Sequence, residues 1–129
     1  MSVSPYQLFR VDDHDGVPVV AVLCSELRAD TVIARLEQEL EKYLKQSGTR
    51  QLVLDLTAVH YITSSGLRVL IVLRKWLREL GGRFTMCGVH EHVASVFKTT
   101  RLFSDSFDYL PDVESAATAL QAEPPVASR

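Results

Sequence analysis

Hydrophobic and polar residues follow two patterns that alternate along the chain. Short apolar runs rich in branched side chains predict strands, and longer segments with apolar residues at three- and four-residue steps predict amphipathic helices. The central run, Leu52–Leu56, has the continuous apolar character of a strand that is buried on both faces of a sheet. A helical pattern over Ser64–Leu80 follows it. Strands that alternate with helices in this way predict an α/β fold.

The same patterns place the remaining elements around this strand and helix. Tyr6–Val11 and Val17–Cys24 predict a hairpin, whose turn lies in the polar cluster Asp12–Gly16. The other predicted elements are a helix from a cap at Asp30 or Thr31 to Gly48, a strand over Arg83–Gly88, a helix over His90–Thr99, a short strand within Leu102–Leu110 and a terminal helix opened by Pro111 and Asp112.

Two faces of different character are predicted for the Ser64–Leu80 helix. At 100° per residue the core-facing side carries Val69, Leu70, Leu73, Trp76, Leu77 and Leu80. The opposite side carries Leu67 and Ile71 among the cations Arg68, Arg74, Lys75 and Arg78. Apolar anchors framed by charge are typical of a docking surface, and the same pattern fits an ordinary helix surface equally well.

A run of hydroxyl side chains marks the start of this helix. Thr63, Ser64 and Ser65 precede Gly66, directly before the apolar periodicity begins. A Thr or Ser at the N-cap accepts a hydrogen bond from a backbone N–H that has no partner inside the helix. Because the helix follows a buried strand, these hydroxyls are predicted to lie at the carboxyl edge of the sheet, where ligands and chemistry commonly occur.

Composition and charge narrow the class of protein. The chain has 129 residues, 47% of them apolar and 23% charged, which is typical of one globular domain. A net charge of −2 provides no overall attraction to nucleic acid. Neither a membrane-spanning run of about 18 apolar residues nor a signal peptide is recognisable, so we expect a cytoplasmic protein without direct membrane insertion. Cys24 and Cys87 are predicted to be two buried thiols.

The sequence offers little support for catalysis or metal binding. Ser64 is not set in a G-x-S-x-G elbow, although His60 lies four residues upstream. His90 and His92 are two residues apart on a predicted helix, where their rings point to different sides and cannot easily share an ion, so both are predicted to be solvated. The glycine-rich nucleotide-binding motifs are missing. We therefore predict no catalytic residues, no metal site and no cofactor.

The segment around the hydroxyl run resembles the signature of the STAS domain, a module shared by sulfate transporters and bacterial anti-sigma factor antagonists. Three further segments agree in order and spacing, so the resemblance extends from about Phe9 to Leu120. The matching segments are Asp55-Leu56-Thr57-x-Val59-x-Tyr61-Ile62-x-Ser64-Ser65-Gly66-Leu67, Glu26-Leu27 with Thr31, Gly81-Gly82 with Phe84–Gly88, and Val93–Phe103.

The resemblance implies a single STAS-type α/β domain, a mixed sheet of about five strands with about four α-helices. We place this domain at residues 6–122, between an N-terminal arm of residues 1–5 and a flexible tail of residues 123–129.

The resemblance also implies a function, that of an anti-sigma factor antagonist, which is a binding module and not an enzyme. In such antagonists the first serine of the motif is phosphorylated by an anti-sigma factor that is also a serine kinase with a histidine-kinase-like ATPase fold. Ser64 occupies this position, with Thr63 and Ser65 as alternative acceptors. The unphosphorylated antagonist binds the kinase and so releases the sigma factor. Phosphorylation breaks the complex, and a serine phosphatase resets it.

The predicted partner-binding surface combines the motif residues with the cationic helix face. It consists of Glu26, Arg28, Asp30, Thr63, Ser65, Gly66, Leu67, Arg68, Ile71, Arg74 and Lys75. Two positions depart from the family pattern. Thr63 stands where an acidic residue usually precedes the phosphoserine, and Arg28 stands where an aspartate usually follows Glu26-Leu27. Because both changes remove negative charge from near Ser64, we expect either a different kinase partner or loss of phosphorylation.

Two other functions are consistent with the same resemblance. One is a STAS subunit that associates with a membrane transporter or a lipid-transport ATPase. The other is a scaffold subunit of a large signalling assembly. The sequence also leaves a homodimer open.

Overall fold

The computed structural model describes residues 8–100 and 109–122. The predicted arm and tail, the start of the first strand at Tyr6 and most of the Leu102–Leu110 segment lie outside these residues. Within them the chain forms seven strands and four helices. These are β1 (Phe9–His14), β2 (Val17–Val22), β3 (Glu26–Leu27), α1 (Asp30–Ser47), β4 (Gln51–Asp55), β5 (Tyr61–Ile62), α2 (Ser64–Glu79), β6 (Arg83–Cys87), α3 (Glu91–Thr100), β7 (Tyr109–Leu110) and α4 (Val113–Ala122).

The main sheet has five strands in the order β1-β2-β4-β6-β7. Only β1 and β2 are antiparallel, and the other neighbours are parallel. This arrangement confirms the predicted mixed sheet of an α/β domain. The carboxyl ends of the parallel strands all lie at one edge of the sheet, which we call the carboxyl edge.

The hairpin that opens the domain has a tighter turn than predicted. Strand β1 continues to His14, so the prediction that the turn begins at Asp12 is wrong. Asp15 and Gly16 both have positive φ, 52° and 88°. A two-residue Asp-Gly loop of this kind matches the twist of paired strands, which allows the pairing to reach the loop itself.

Helix α1 buries the face that its periodicity predicts. Gly48 ends it in the left-handed conformation and donates its N–H to the carbonyl of Leu44 at 3.1 Å. The predicted caps are wrong, however. The N-cap residue is Ala29, which makes no side-chain cap, and Asp30 lies inside the first turn, where its charge suits the helix dipole. The buried residues of α1 are Ile33, Leu36, Leu40, Tyr43 and Leu44.

The central strand β4 is buried on both faces. Leu52 and Leu54 belong to the larger apolar cluster, which also includes the buried residues of α1, α2 and α3. Val53 points to the opposite face of the sheet. There it belongs to a smaller apolar cluster that also contains Cys87 and that α4 covers. Burial, together with the nearby Asp55 carboxylate, raises the pKa of the Cys87 thiol to about 12. Cys87 is therefore a protonated core residue, whereas Cys24 is only half-buried.

Helix α2 buries residues on both its predicted core-facing side and part of its predicted exposed side. The predicted exposure of Leu67 is wrong, since its side chain is 1% exposed and lies in the larger cluster. Ile71 is half-buried and packs against the same cluster. The prediction that Leu80 faces the core is also wrong, because Leu80 is the C-cap residue and is 44% exposed. Val69, Leu70, Leu73 and Leu77 are buried as predicted.

A second, two-stranded sheet explains the burial of Leu67. Strands β3 and β5 pair in parallel, with Glu26 opposite Tyr61 and Leu27 opposite Ile62. The sequence pattern did not predict this sheet, because each strand has only two residues and no periodicity can be recognised over that length. The side chains of Leu27 and Ile62 belong to the same cluster as Leu67 and close over the first turn of α2.

Candidate functional site

The first turn of α2 is fixed by Thr63. Its hydroxyl accepts a hydrogen bond from the N–H of Gly66 at 3.2 Å, which makes Thr63 the N-cap. The same hydroxyl donates to the carbonyl of Leu27 at 3.2 Å, and the Thr63 N–H donates to that carbonyl at 3.1 Å. Thr63 therefore joins the end of β3 to the start of α2.

Gly66 allows β3 and α2 to approach closely. A Cβ atom at this position would lie 2.7 Å from the carbonyl oxygen of Leu27 and 2.8 Å from Cγ1 of Ile62. Contacts this short require the backbone or a buried side chain to move. The glycine of the motif is thus required by close packing between the small sheet and the helix.

Ser64 and Ser65 present their hydroxyls to solvent. Both residues are exposed, and neither hydroxyl makes a hydrogen bond to any residue that the structure describes. They occupy the first two positions of α2, where backbone N–H groups have no partner inside the helix and the dipole favours negative charge. The first turn contains no acidic side chain.

The small sheet brings Arg28 and Tyr61 beside this helix start. The guanidinium of Arg28 lies 5.8 Å from the centre of the Tyr61 ring, and its Nε is 3.5 Å from Oε1 of Glu26. On Tyr61 the ring of His92 is stacked, with 4.7 Å between centroids and 10° between planes. We call Arg28, Tyr61, Ser64, Ser65 and His92 the carboxyl-edge surface.

A second pair of stacked rings lies next to this surface. His60 and His90 stack with 4.2 Å between centroids, and Nε2 of His90 donates to the carbonyl of Thr57 at 2.6 Å. The sequence predicts solvated side chains for His90 and His92, and neither of the two stacked pairs follows from it. The sequence does contain one indication of ring stacking, the aromatic residue Tyr61 inside the motif. Which ring stacks on Tyr61, however, depends on the tertiary fold.

The structure divides the predicted partner-binding residues into three groups. Glu26, Arg28, Asp30, Ser65, Arg68 and Lys75 are exposed, Thr63, Ile71 and Arg74 are half-buried, and Gly66 and Leu67 are buried. Arg68 also contacts Glu37 of α1, with 3.2 Å between the guanidinium and the carboxylate. Lys75 lies eleven residues beyond Ser64 on α2, which corresponds to about 16 Å along the helix. The predicted surface is therefore not one compact patch.

The described residues contain no recognisable catalytic or metal-binding set. The ring of His60 stacks on His90, and no hydrogen bond joins it to Ser64 within residues 8–100 and 109–122. In the same residues no group of three or more potential metal ligands comes together. None of the described helices is long and apolar enough to cross a membrane.

Comparison with known proteins identifies the family. The STAS domain model matches residues 12–116 of the chain. BtrV from Bordetella bronchiseptica, which is named as an anti-sigma factor antagonist, is 31% identical over 117 residues, covering 89% of this chain and 96% of BtrV. This chain therefore belongs to the STAS domain family, as the resemblance predicted.

Solved structures agree with this assignment. The crystal structure of an anti-sigma factor antagonist from Mycobacterium paratuberculosis superposes with a TM-score of 0.72 at 32% identity, covering 88% of this chain and 92% of that protein. The unphosphorylated form of the anti-sigma factor antagonist SpoIIAA has a TM-score of 0.72 at 14% identity, over 90% of this chain and 98% of SpoIIAA. The second similarity shows the fold alone and confirms the STAS-type architecture.

Proposed function

We propose that this protein is an anti-sigma factor antagonist that is controlled by phosphorylation of Ser64. The observation that carries the proposal is a division of roles at the start of α2. The Thr63 hydroxyl is occupied in capping the helix and bonding to Leu27, whereas the Ser64 hydroxyl is exposed and unbonded among the described residues. A kinase can therefore reach Ser64 without disturbing the helix cap.

The same geometry favours Ser64 over Thr63 as the phosphate acceptor. Phosphorylation of Thr63 would require its half-buried hydroxyl to leave both the Gly66 N–H and the Leu27 carbonyl. Ser65 is exposed as well, so its accessibility does not distinguish it from Ser64. The position in the family motif supports Ser64 over Ser65.

The negative charge of a phosphate on Ser64 changes the affinity of the antagonist for the kinase. A phosphate adds about −1.5 to −2 charges at neutral pH and is well accommodated at a helix N-terminus, so the fold of the antagonist need not change. Two exposed cations flank the start of α2: Arg28, which directly follows β3 and stands where the family pattern has an aspartate, and Arg68, which lies four residues beyond Ser64 and pairs with Glu37. The kinase that fits this surface presents carboxylates to Arg28, and a phosphate on Ser64 repels those carboxylates.

The protein acts as a cytoplasmic binding module in this proposal, without catalytic activity of its own. The anti-sigma factor kinase both binds the carboxyl-edge surface and modifies Ser64. A serine phosphatase returns the antagonist to its binding form. The antagonist and the sigma factor compete for the kinase, so binding of the antagonist to the kinase releases the sigma factor.

Phosphosite mapping tests the chemical part of the proposal. The protein is purified from its own cells under several growth conditions and mapped by mass spectrometry, with and without phosphatase treatment. We expect phosphate on Ser64 that phosphatase removes. Phosphate found only on Thr63 or Ser65 would show that Ser64 is the wrong acceptor, and a chain that is never phosphorylated would contradict the switch.

A binding experiment tests the regulatory part. A tagged chain is used to recover the kinase, and the affinity of the purified kinase is compared for wild type, Ser64→Glu and the matched control Thr118→Glu, which adds the same charge at an exposed position of α4, on the opposite face of the sheet. We expect Ser64→Glu to weaken binding at least about tenfold, equivalent to about 1.4 kcal/mol, and Thr118→Glu to have little effect. Recovery of transporter subunits or of a large scaffold in place of a kinase would support one of the other two functions.

A further inference from the structure

A cavity of about 350 Å³ lies between the C-terminal ends of α1 and α2. Its lining residues on and directly after α2 are 12 to 16 positions beyond Ser64, which corresponds to about 18–24 Å along the helix axis. It is thus separate from the carboxyl-edge surface, at the other end of α2. It is lined by Glu41, Leu44, Lys45, Gly48, Arg50, Trp76, Glu79 and Leu80.

The lining contains both a depression and a projecting apolar side chain. Leu44 is buried and Trp76 is half-buried, whereas Leu80 is 44% exposed at the end of α2. An exposed leucine beside an apolar depression on the same patch can enter the equivalent depression of a second copy. Contacts between identical patches of this kind are the basis of two-fold symmetric dimers.

The charged residues around the cavity are also self-complementary. Glu41 and Lys45 already form an ion pair within α1, with 3.3 Å between Oε2 and Nζ. The side chains of Glu79 and Arg50 form no ion pair with any part of the chain that the structure describes. A two-fold axis that passes midway between Glu79 and Arg50, which line the same cavity, would place Glu79 of each copy opposite Arg50 of the other.

We propose that this patch is the interface of a homodimer. Leu80 of each copy enters the cavity of the second copy against Trp76, and Glu79 pairs with Arg50 across the interface. The eight lining residues are fewer than the roughly 20–30 residues per side of a standard interface. The dimer is therefore weak, with a Kd between roughly 10 µM and 1 mM.

Two measurements on the purified full chain test self-association at this site. Sedimentation equilibrium follows the mass, and the NMR shift of the indole N–H follows the cavity, since Trp76 is the only tryptophan of the chain. Between about 10 µM and 1 mM, we expect the mass to rise from monomer towards dimer and the indole shift to follow the same curve. A chain that stays monomeric to about 1 mM, or an indole shift that is independent of concentration, would overturn the proposal.

A matched pair of substitutions locates the interface. Leu80→Asp places a carboxylate in the proposed contact and should raise the Kd at least about tenfold. Leu23→Asp is the control, because Leu23 is 48% exposed and directly follows β2 at the carboxyl edge, whereas Gly48 and Arg50 of the cavity precede the parallel strand β4 at the opposite edge of the sheet. Equal effects of the two substitutions would contradict an interface at Leu80.

Charge reversal tests the symmetry. Glu79→Arg alone brings the introduced guanidinium of one copy towards Arg50 of the other, and Arg50→Glu alone brings two carboxylates together, so each variant should associate at least about fivefold more weakly. When the two variants are mixed, the first variant supplies a guanidinium to both symmetric contacts of the heterodimer and the second supplies a carboxylate to both. Both contacts of the heterodimer are therefore attractive, whereas each homodimer brings like charges together at both. We expect the mixture to associate more tightly than either variant alone, to within about twofold of wild type. Failure of the mixture to associate would overturn the two-fold arrangement.

Discussion

At the scale of single residues, Gly66 shows how the local and tertiary preferences of the chain oppose each other. Inside a helix, alanine is favoured over glycine by about 1 kcal/mol. The third position of α2 nevertheless holds a glycine, because the Leu27 carbonyl and the Ile62 side chain occupy the space of a Cβ atom. Tertiary packing therefore outweighs helix propensity at this position.

The variant Gly66→Ala tests that balance. We expect the free energy of unfolding to fall by about 1–2 kcal/mol, since the cost of overpacking exceeds the gain in helix propensity. Urea unfolding of the variant measures the change, and Ser65→Ala, one position earlier on the exposed side, serves as the control. An increase in stability for Gly66→Ala would show that the small sheet can move away from α2 at little cost.

At the scale of secondary-structure elements, long periodic segments could be predicted and short ones could not. The buried face of α1 follows from its spacing, and the apolar run of β4 indicates burial on both faces. The pairing of β3 with β5 could not be predicted, because two-residue strands that are 35 residues apart in sequence leave no local pattern. The wrong prediction for Leu67 has the same cause, since a helical projection shows one buried side and takes no account of a second covering element.

The candidate site was predictable to a similar extent. The hydroxyl run and its position at the carboxyl edge follow from the motif and the strand–helix order. The stacking of Tyr61 with His92 and the position of Arg28 over Tyr61 depend on β3, β5 and α3 coming together. Those contacts join segments that are far apart in the chain, and so only the fold defines them.

The two sheets should also differ in local stability. The amide of Leu54 lies in the central strand, between β2 and β6, whereas the amide of Thr63 is bonded to Leu27 at the end of a sheet of only two strands. We expect the Thr63 amide to exchange with solvent at least about 30-fold faster than the Leu54 amide, which should require global unfolding. Native-state hydrogen exchange by NMR measures both, and equal rates would show that the small sheet unfolds only with the core.

At the scale of the whole molecule, the carboxyl-edge surface and the proposed dimer interface lie at opposite ends of α2. Effects of substitutions more than about 10 Å apart, with no shared partner, usually add. The helix dipole gives the two ends opposite electrostatic preferences, so a carboxylate is favourable at Ser64 and unfavourable at Leu80. Phosphorylation and self-association can therefore be varied independently.

A double-mutant cycle at about 10 µM protein, near the lower limit proposed for dimerisation, tests this independence. Ser64→Glu should raise the free energy of unfolding by about 0.3–1 kcal/mol, and Leu80→Asp should lower it by a similar amount. We expect the double variant to match the sum of the two effects to within about 0.5 kcal/mol in urea unfolding. A coupling above about 1 kcal/mol would show that the two ends of the molecule communicate.

The cap at Thr63 has a consequence for the speed of the proposed switch. Because Thr63 and not Ser64 secures the start of α2, a phosphate gained or lost at Ser64 leaves the hydrogen bonds of the helix end in place. No segment would have to refold before the altered surface is presented to the kinase. The response time of such a circuit is then set by the turnover of the kinase and the phosphatase and by dissociation of the complex, with no conformational delay inside the antagonist itself.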